Sequence, residues 1–221
     1  YTGRFEGSSA AGVPFQHNED TGDMRICGTA ASLAGLEQAL RQRDEALAGM
    51  ALRRLHMLYG VLCSIGGIPL IFLGEEWAVL NDYAYLKQPD KADDSRWIHR
   101  PRADWDLFRN EVEKEGTLRN RHFEGVRALF AERRRQPALQ GAAMRLLPGE
   151  NPHVLTYLRE NGSHRLAVLA NFSEHDQVVD LRGWRAQGLA HFFRDVFTGR
   201  TVSTGGIVEA APYELLWLVE D

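Results

Sequence analysis

Six apolar residues in a row, Ile68-Pro-Leu-Ile-Phe-Leu73, lie between Gly66-Gly67 and Gly74. A strand with one wet face alternates apolar and polar residues. A continuous apolar run bounded by glycine reads as a strand buried on both faces, the pattern of a parallel sheet covered by helices. The residues before it predict a helix from Asp44 to Ser64, with Leu47, Met50, Ala51, Leu55, Leu58 and Leu62 on one face at steps of three and four. Gly66-Gly67 stops that helix. Helix, glycine stop and buried strand make one unit of an alternating α/β domain. Upstream, Thr29 is placed to cap a shorter helix over 30–41. Downstream, a helix over Thr117–Gln136 with Phe123, Val126, Leu129, Phe130 and Arg133 on its buried face ends at Pro137.

From about residue 140 the period changes. Val154–Leu158, Arg165–Asn171, Val178–Leu181, Ala190–Phe193 and Glu214–Val219 are short β-type segments, separated by turn residues such as Glu160-Asn-Gly-Ser163 and Thr198-Gly199. Five or more such strands at regular spacing predict a small antiparallel sandwich. The expected organisation is an α/β part over 1–137 and a β domain over 138–221. Two polar stretches, 1–28 and 74–116, are expected to be loops. Loops of that length in a compact protein are usually functional or disordered. Phe5, Phe15, Gln16 and Arg25 in the first of them favour a functional loop.

A chain of 221 residues, 44% hydrophobic and with a net charge of −4, has the composition of a globular protein, which excludes disorder. Acidic and basic residues nearly balance at 30 and 26, so no nucleic-acid footprint is expected. Arg133-Arg-Arg135 reads as a solvated helix end. Cys27 and Cys63, among apolar neighbours, read as small core residues. No apolar run is long enough to span a membrane. Neither a signal peptide nor a Met opens the chain, and the start at Tyr1 inside a Gly- and Ser-rich stretch reads as that of a fragment. A cytoplasmic setting is favoured.

Gly66-Gly-Ile-Pro-Leu-Ile-Phe-Leu-Gly-Glu-Glu76 resembles the eighth barrel strand of the alpha-amylase superfamily, which carries a Gly-x-Pro-x-x-x-x-Gly-x-Glu pattern there. Three further signals follow in the right order. Leu129-Phe-Ala-Glu-Arg133 with Gln136-Pro-Ala-Leu139 resembles the last barrel helix and its exit. Asn171-Phe-Ser173 resembles a motif of the family's C-terminal β domain. Asp195-Val-Phe-Thr-Gly199 and Ala211-Pro-Tyr-Glu-Leu-Leu-Trp-Leu218 resemble that domain's final strands. Within the superfamily, Gly12-Val-Pro-Phe-Gln16 and Thr21-Gly-Asp-Met-Arg-Ile-Cys-Gly-Thr-Ala30 are similar to the amylosucrase insertion after the seventh strand. Asp93-Asp-Ser-Arg-Trp-Ile-His-Arg-Pro-Arg102 is similar to the amylosucrase loop after the eighth. The resemblance covers essentially the whole chain. It implies the C-terminal end of a (β/α)8 TIM barrel (the seventh-loop insertion, helix seven, strand eight and helix eight) followed by a small antiparallel β-sandwich.

The resemblance also implies a chemistry. Amylosucrases break sucrose and pass its glucosyl unit to an α-1,4-glucan, releasing fructose; the related sucrose hydrolases pass it mostly to water. Both are retaining enzymes with a carboxylate nucleophile and a carboxylic acid/base, held roughly 5 Å apart. Those carboxylates follow the fourth and fifth strands, and a His-Asp pair follows the seventh. The resemblance starts after the seventh strand, so no catalytic residue is expected in this chain, which alone is expected to be inactive on sucrose. Arg96 is implied at the floor of the glucosyl pocket, paired with an Asp from an early barrel loop. Its planar, permanently charged fork suits a carboxylate and sugar hydroxyls. Arg25 and Gln16 are implied in the insertion that roofs the site. Read without the resemblance, Arg96 is a surface arginine in a charged loop, and Gln16 reads nearly as well as loop solvation.

Other polar residues are given no part in the chemistry. Glu75 and Glu76 are expected to pair with nearby backbone or Arg groups. Asp90, Asp93 and Asp94 lack calcium-loop spacing and read as loop formers, and the eight histidines show no metal spacing. His56 and His122 read as partly buried or exposed helical residues. At most one of Trp77, Trp97 and Trp105 is expected to stack on a sugar. No metal and no cofactor are expected, and the partners implied are sucrose and an α-glucan acceptor. Tyr83-Ala-Tyr85 departs from the pattern, so polymerase against hydrolase stays open. A non-catalytic carbohydrate-binding protein on the same fold is the alternative of another class. Arg96 is expected just past the C-terminal end of the strand 68–73, in an irregular loop. Ile68, Leu70, Ile71 and Phe72 are expected to lack part of their cover.

Overall fold

The computed structural model describes residues 7–141 and 143–220; Phe5 lies outside them. The chain divides into two compact units, Tyr1–Leu55 with Ile71–Glu124, and His56–Leu70 with Gly125–Asp221. The second of these is mostly sheet, of β-sandwich type, and the first is helical and loop-rich.

In the first unit, β1 (Val13–Phe15) and β2 (Arg25–Cys27) form an antiparallel hairpin, where the sequence predicted plain loop. Three-residue strands amid Gly and Asp leave too short an alternation to read. The predicted helix over 30–41 is two helices, α1 (Ala30–Leu33) and α2 (Leu36–Gln42). Thr29 caps α1 as expected, accepting the Ser32 N–H, and Gly35 at φ 99° turns the chain between them. Helix α3 (Glu45–Ser64) starts at Asp44, whose Oδ1 accepts the Leu47 N–H at 3.0 Å.

The buried stripe of α3 overlaps the predicted one in part. Ala51 and Leu55 are buried as expected, but Ala48, Leu52, Tyr59 and Cys63 join them, while Leu47 and Leu58 are exposed and Met50 and Leu62 half-buried. The large leucines dominate the pattern in the sequence, but the close-packed side carries several smaller residues.

The run 68–73 forms no strand. Ile68 is 91% and Leu70 83% exposed, Phe72 and Leu73 are also exposed, and Ile71 is half-buried. A strand exists through its ladder, and among the described residues no backbone pairs with either edge of this segment. A barrel portion is therefore not seen in the structure. Residues 74–116 are a polar loop broken by 3₁₀ turns at Glu75–Trp77, Tyr83–Lys87 and Ser95–His99, then by α4 (Trp105–Leu107) and a π turn at Phe108–Val112. Helix α5 (Leu118–Arg135) follows, with Asn120 N–H donating to Thr117 Oγ1 at its start. His122 in α5 is fully buried, deeper than expected, and its Nε2 lies 2.9 Å from the Glu75 carbonyl.

The second unit holds a six-stranded antiparallel sheet in the order β3-β4-β5-β10-β7-β8. Its strands are β3 (Ala143–Leu146), β4 (Val154–Asn161), β5 (His164–Asn171), β7 (Phe192–Asp195), β8 (Thr201–Ser203) and β10 (Leu215–Glu220). A two-stranded sheet, β6 (Gln177–Asp180) with β9 (Ile207–Ala210), and the short helix α6 (Arg182–Ala186) cover one face. The core between them includes Leu158, Leu169, Leu218, Phe193, Val179 and Trp184. Strands β3, β8 and β9 escaped the sequence reading, being three or four residues long, too short for an alternation to stand out.

Two residues of the β-domain motifs act as hubs. Asn171 is fully buried; its Nδ2 donates to the carbonyls of His175, Ala210 and Ala211 at 2.8, 3.1 and 2.9 Å, and its Oδ1 accepts from Ser173 N and Oγ at 2.9 Å each. Asp195 accepts from Trp217 N at 3.0 Å through Oδ1, and from Thr198 N and Oγ1 at 2.9 and 2.6 Å through Oδ2.

Two arginines close the C-terminal end of α3. Arg159, 1% exposed, donates to the carbonyls of Ser64 (2.6 Å), Ala143 (3.1 Å) and Gly141. Arg133 donates to the carbonyls of Cys63 and Gly67. The bonds to Cys63 and Ser64 take up last-turn carbonyls that no helical N–H can reach.

Candidate functional site

Of the three residues singled out for sugar binding, Arg96 reaches the Phe15 ring, Arg25 is the register partner of Phe15 and Gln16 is its neighbour in sequence. Phe15 ends β1, and its partner across the hairpin is Arg25. Gln16 follows directly at φ 51°, a left-handed position that turns the chain out of β1. The hairpin loop is held by Asn18, whose Oδ1 accepts from Asp20 N at 2.9 Å and Thr21 N at 3.3 Å. Gln16 and Arg25 are both exposed.

Arg96 lies in the 3₁₀ turn Ser95–His99, and its guanidinium sits 5.2 Å from the Phe15 ring centroid. The turn packs on the hairpin through a small core of Cys27, Tyr85 and Ile98, joined by Val13, Phe15 and Trp97. Ser95 Oγ donates to the Pro14 carbonyl at 3.0 Å and fixes the approach.

The arginine is already paired within the chain. Arg96 Nε and Nη2 reach Asp94 Oδ1 and Oδ2 at 2.8 and 2.9 Å, and Asp94 Oδ1 also caps the turn by accepting Arg96 N at 3.0 Å. The hydrogen bond from Arg96 holds the Asp94 carboxyl below the usual carboxylate range, and the same bond raises the guanidinium pKa. Both groups are therefore charged at neutral pH. The side chain of Arg96 remains 50% exposed, so it has donors to offer outward. Burial lowers the His99 pKa first and the neighbouring Arg100 charge lowers it further; its ring meets Phe72 edge-on at 6.4 Å. Arg96 thus lies in a turn close to the C-terminal end of the run 68–73.

Asn81 ties the loops behind this cluster. It accepts from Thr29 N at 2.8 Å, donates from its backbone to Ser32 Oγ at 2.9 Å, and donates through Nδ2 to the Ala11 carbonyl at 2.7 Å. Phe15, Asp94 and Asn81 went unread as site residues. The Asp94-x-Arg96 spacing, which suits a carboxylate that caps a turn and pairs with its third residue, was the available signal for one of them. Glu75 and Glu76 accept the Phe72 and Gly74 N–H groups at 3.3 and 2.8 Å, the structural role expected of them. Asp90 and Asp93 join no metal-binding group, and among the described residues no cluster of His, Cys, Asp and Glu could hold a metal ion. No helix among them is long and apolar enough to cross a membrane.

The β unit connects this architecture to known proteins. Residues 144–217 match the family described as the C-terminal domain of maltogenic amylase. Over those residues the chain has the character of an alpha-amylase superfamily C-terminal domain. A trehalose synthase from Thermus thermophilus is 30% identical over 170 residues, 68% of this chain and 18% of the relative. A crystal structure of an AmyP variant in complex with maltotriose aligns with a TM-score of 0.65 at 18% identity, covering 77% of this chain and 35% of that one. The type III pullulan hydrolase from Thermococcus kodakarensis aligns at 0.53 and 22% identity, covering 77% of this chain and 24% of that one. The chain thus spans about a third or less of the relatives it matches. It is related to glycosidases of the alpha-amylase type, and nothing in these matches is specific to amylosucrase.

Proposed function

We propose that this chain is the C-terminal part of a retaining, amylosucrase-like enzyme that transfers glucose from sucrose to an α-1,4-glucan, with Arg96, Arg25 and Gln16 on the sugars. The supporting observation is that Arg96 comes to the ring of Phe15, the residue that pairs with Arg25 across the hairpin and precedes Gln16, although 80 positions separate Gln16 from Arg96 in the sequence. In this reading the domain boundary falls near 137/138. The apolar run 68–73 takes its place as a barrel strand once other strands pair with its edges, consistent with the exposure of its side chains. The catalytic carboxylates belong to the rest of the protein. Arg96 supplies charged, planar donors to one sugar ring, and its outward-facing half is free to take a second carboxylate. Arg25 and Gln16, exposed on a short hairpin, supply hydroxyl contacts from the roof of the pocket.

A second reading, action on maltose or a longer glucan without sucrose, is favoured by the relatives. One is a trehalose synthase, and two AmyP structures hold maltotriose and maltose. Incubation of the full-length protein with sucrose and with maltose separates the two. Fructose release with an iodine-staining glucan supports the first; fructose and free glucose without glucan indicate a sucrose hydrolase. Trehalose or shorter maltosides from maltose, with sucrose untouched, replace the first reading by the second. Ligand binding without turnover of any of these sugars would leave a carbohydrate-binding protein.

A further inference from the structure

A second group of side chains in the first unit lies apart from Gln16, Arg25 and Arg96. It lines an open cleft of about 690 Å³ between the loop at 79–91 and the segment 97–107. We propose that this cleft binds a phosphate-bearing sugar, with Arg100 and Arg102 as the phosphate ligands. The proposal does not depend on glucosyl transfer from sucrose and stands or falls separately from it.

The charges of the lining point to an anion. Four cations, Lys91, Arg100, Arg102 and Arg119, face two carboxylates, Asp82 and Asp104. Each carboxylate gives one oxygen to a turn cap and keeps the other open. Asp82 Oδ1 accepts Ala84 N at 2.8 Å, and Asp104 Oδ1 accepts Asp106 N and Leu107 N at 3.1 and 2.9 Å. Arg119 is also committed: it is buried, pairs with Glu111 at 2.9 Å and donates to the carbonyls of Trp77 and Ala78. That leaves Lys91, Arg100 and Arg102.

The Trp97 ring orients two of these three. Lys91 Nζ lies 4.6 Å and the Arg100 guanidinium 5.6 Å from its centroid. Lys91 also donates to Gln88 Oε1 at 2.6 Å. Among the described residues neither Arg100 nor Arg102 has a carboxylate within ion-pair distance. Two guanidiniums with open forks in one concavity concentrate positive potential, and each fork matches two phosphate oxygens. The Arg100 charge is felt by its neighbours, helping to lower both His99 and Asp94.

A sugar accounts for the rest of the space. The volume falls in the range of small-molecule sites, about 300–1,000 Å³. Gln88 and Asp82 add groups that pair with hydroxyls. A phosphomonoester and free phosphate share the anionic chemistry, so the test carries both.

Isothermal titration of the full chain at low salt, with glucose 1-phosphate, inorganic phosphate and maltose, tests the assignment. Glucose 1-phosphate is expected to bind most tightly, and maltose not to compete with it. Arg100→Ala with Arg102→Ala is expected to weaken it at least tenfold at an unchanged melting temperature, since both side chains are exposed and the structure gives them no hydrogen bond. Arg109→Ala, which removes an exposed arginine paired with Asp106 outside the cleft, is expected to leave binding unchanged. Binding that survives the double substitution, or that falls equally with Arg109→Ala, would overturn the site. Equal affinity for inorganic phosphate and glucose 1-phosphate would overturn the sugar, and equal affinity for maltose the phosphate.

Discussion

Replacing Asn171 by Ala tests whether the Asn-Phe-Ser motif is structural. The amide of Asn171 makes three donor contacts and two acceptor contacts, all within a buried corner that joins the end of β5 to β9 and the turn after it. Each buried polar group stripped of its partner costs about 1–3 kcal/mol. Part of that is recovered: His175 is exposed enough for its carbonyl to find water. The net expectation is a loss of about 3–4 kcal/mol, or roughly 10–20 °C in melting temperature for a unit of this size. Urea unfolding followed by tryptophan fluorescence measures it, because Trp184 and Trp217 are both buried in this unit. Two companions sharpen the result. Asn171→Asp keeps the acceptor but turns a carboxylate toward three carbonyls, and should cost at least as much at neutral pH. Phe172→Ala changes the exposed neighbour and should cost under about 1 kcal/mol. A loss under about 1 kcal/mol for Asn171→Ala, or a stable Asp variant, would refute the hub argument.

Arg96→Ala in the full-length enzyme is expected to lower turnover at least about a hundredfold on its sugar substrate, since an outward-facing donor that orients the ring is lost; steady-state kinetics within a few-fold of the parent would exclude the role. Asp180 is held down to about 2 from 3.8, chiefly by its hydrogen bonds from Arg182. Because the folded value is depressed, any stability it lends is full above the unfolded value and disappears as pH falls toward about 2, which carboxyl-carbon NMR titration reads directly. Burial pushes the Cys63 thiol up to about 11, so iodoacetamide at pH 8 should label it only after unfolding. Ile68→Lys with Leu70→Gln should reduce self-association of this chain in analytical ultracentrifugation without lowering its melting temperature, because both side chains stand in solvent.

Features held by neighbouring residues were the most legible in the sequence. The Thr29 and Asp44 caps, the Gly66-Gly67 stop and the longer strands of the β unit are local, and the residues spell them out. The run 68–73 shows where local reading ends. Its composition is that of an interior strand, yet a strand needs a ladder, and no ladder partner is among the described residues. On α3 the pattern favoured large residues, and the buried stripe instead includes Ala48 and Cys63. At the candidate site, resemblance selected Arg96, Arg25 and Gln16. Phe15 as the ring beside Arg96 depends on how the hairpin meets a turn 80 positions later, which no periodicity encodes, whereas the Asp94–Arg96 pair is local and its spacing carries it.

The closure at the end of α3 has an evolutionary consequence. Arg159 and Arg133 grip main-chain oxygens, and no codon change can remove a peptide carbonyl. An ion pair is genetically fragile at both ends, whereas these bonds make no demand on the side chain at the receiving end. Packing and backbone do: Gly67 sits at φ 68°, a Cβ at Gly141 would meet the Glu160 carbonyl at 2.5 Å, and Cys63 and Ser64 are fully buried, which leaves Ala143, exposed on β3, free to drift. A deep mutational scan should therefore show sharp intolerance at Arg159 opposite a permissive Ala143, a one-sided constraint that analysis of co-varying pairs would miss.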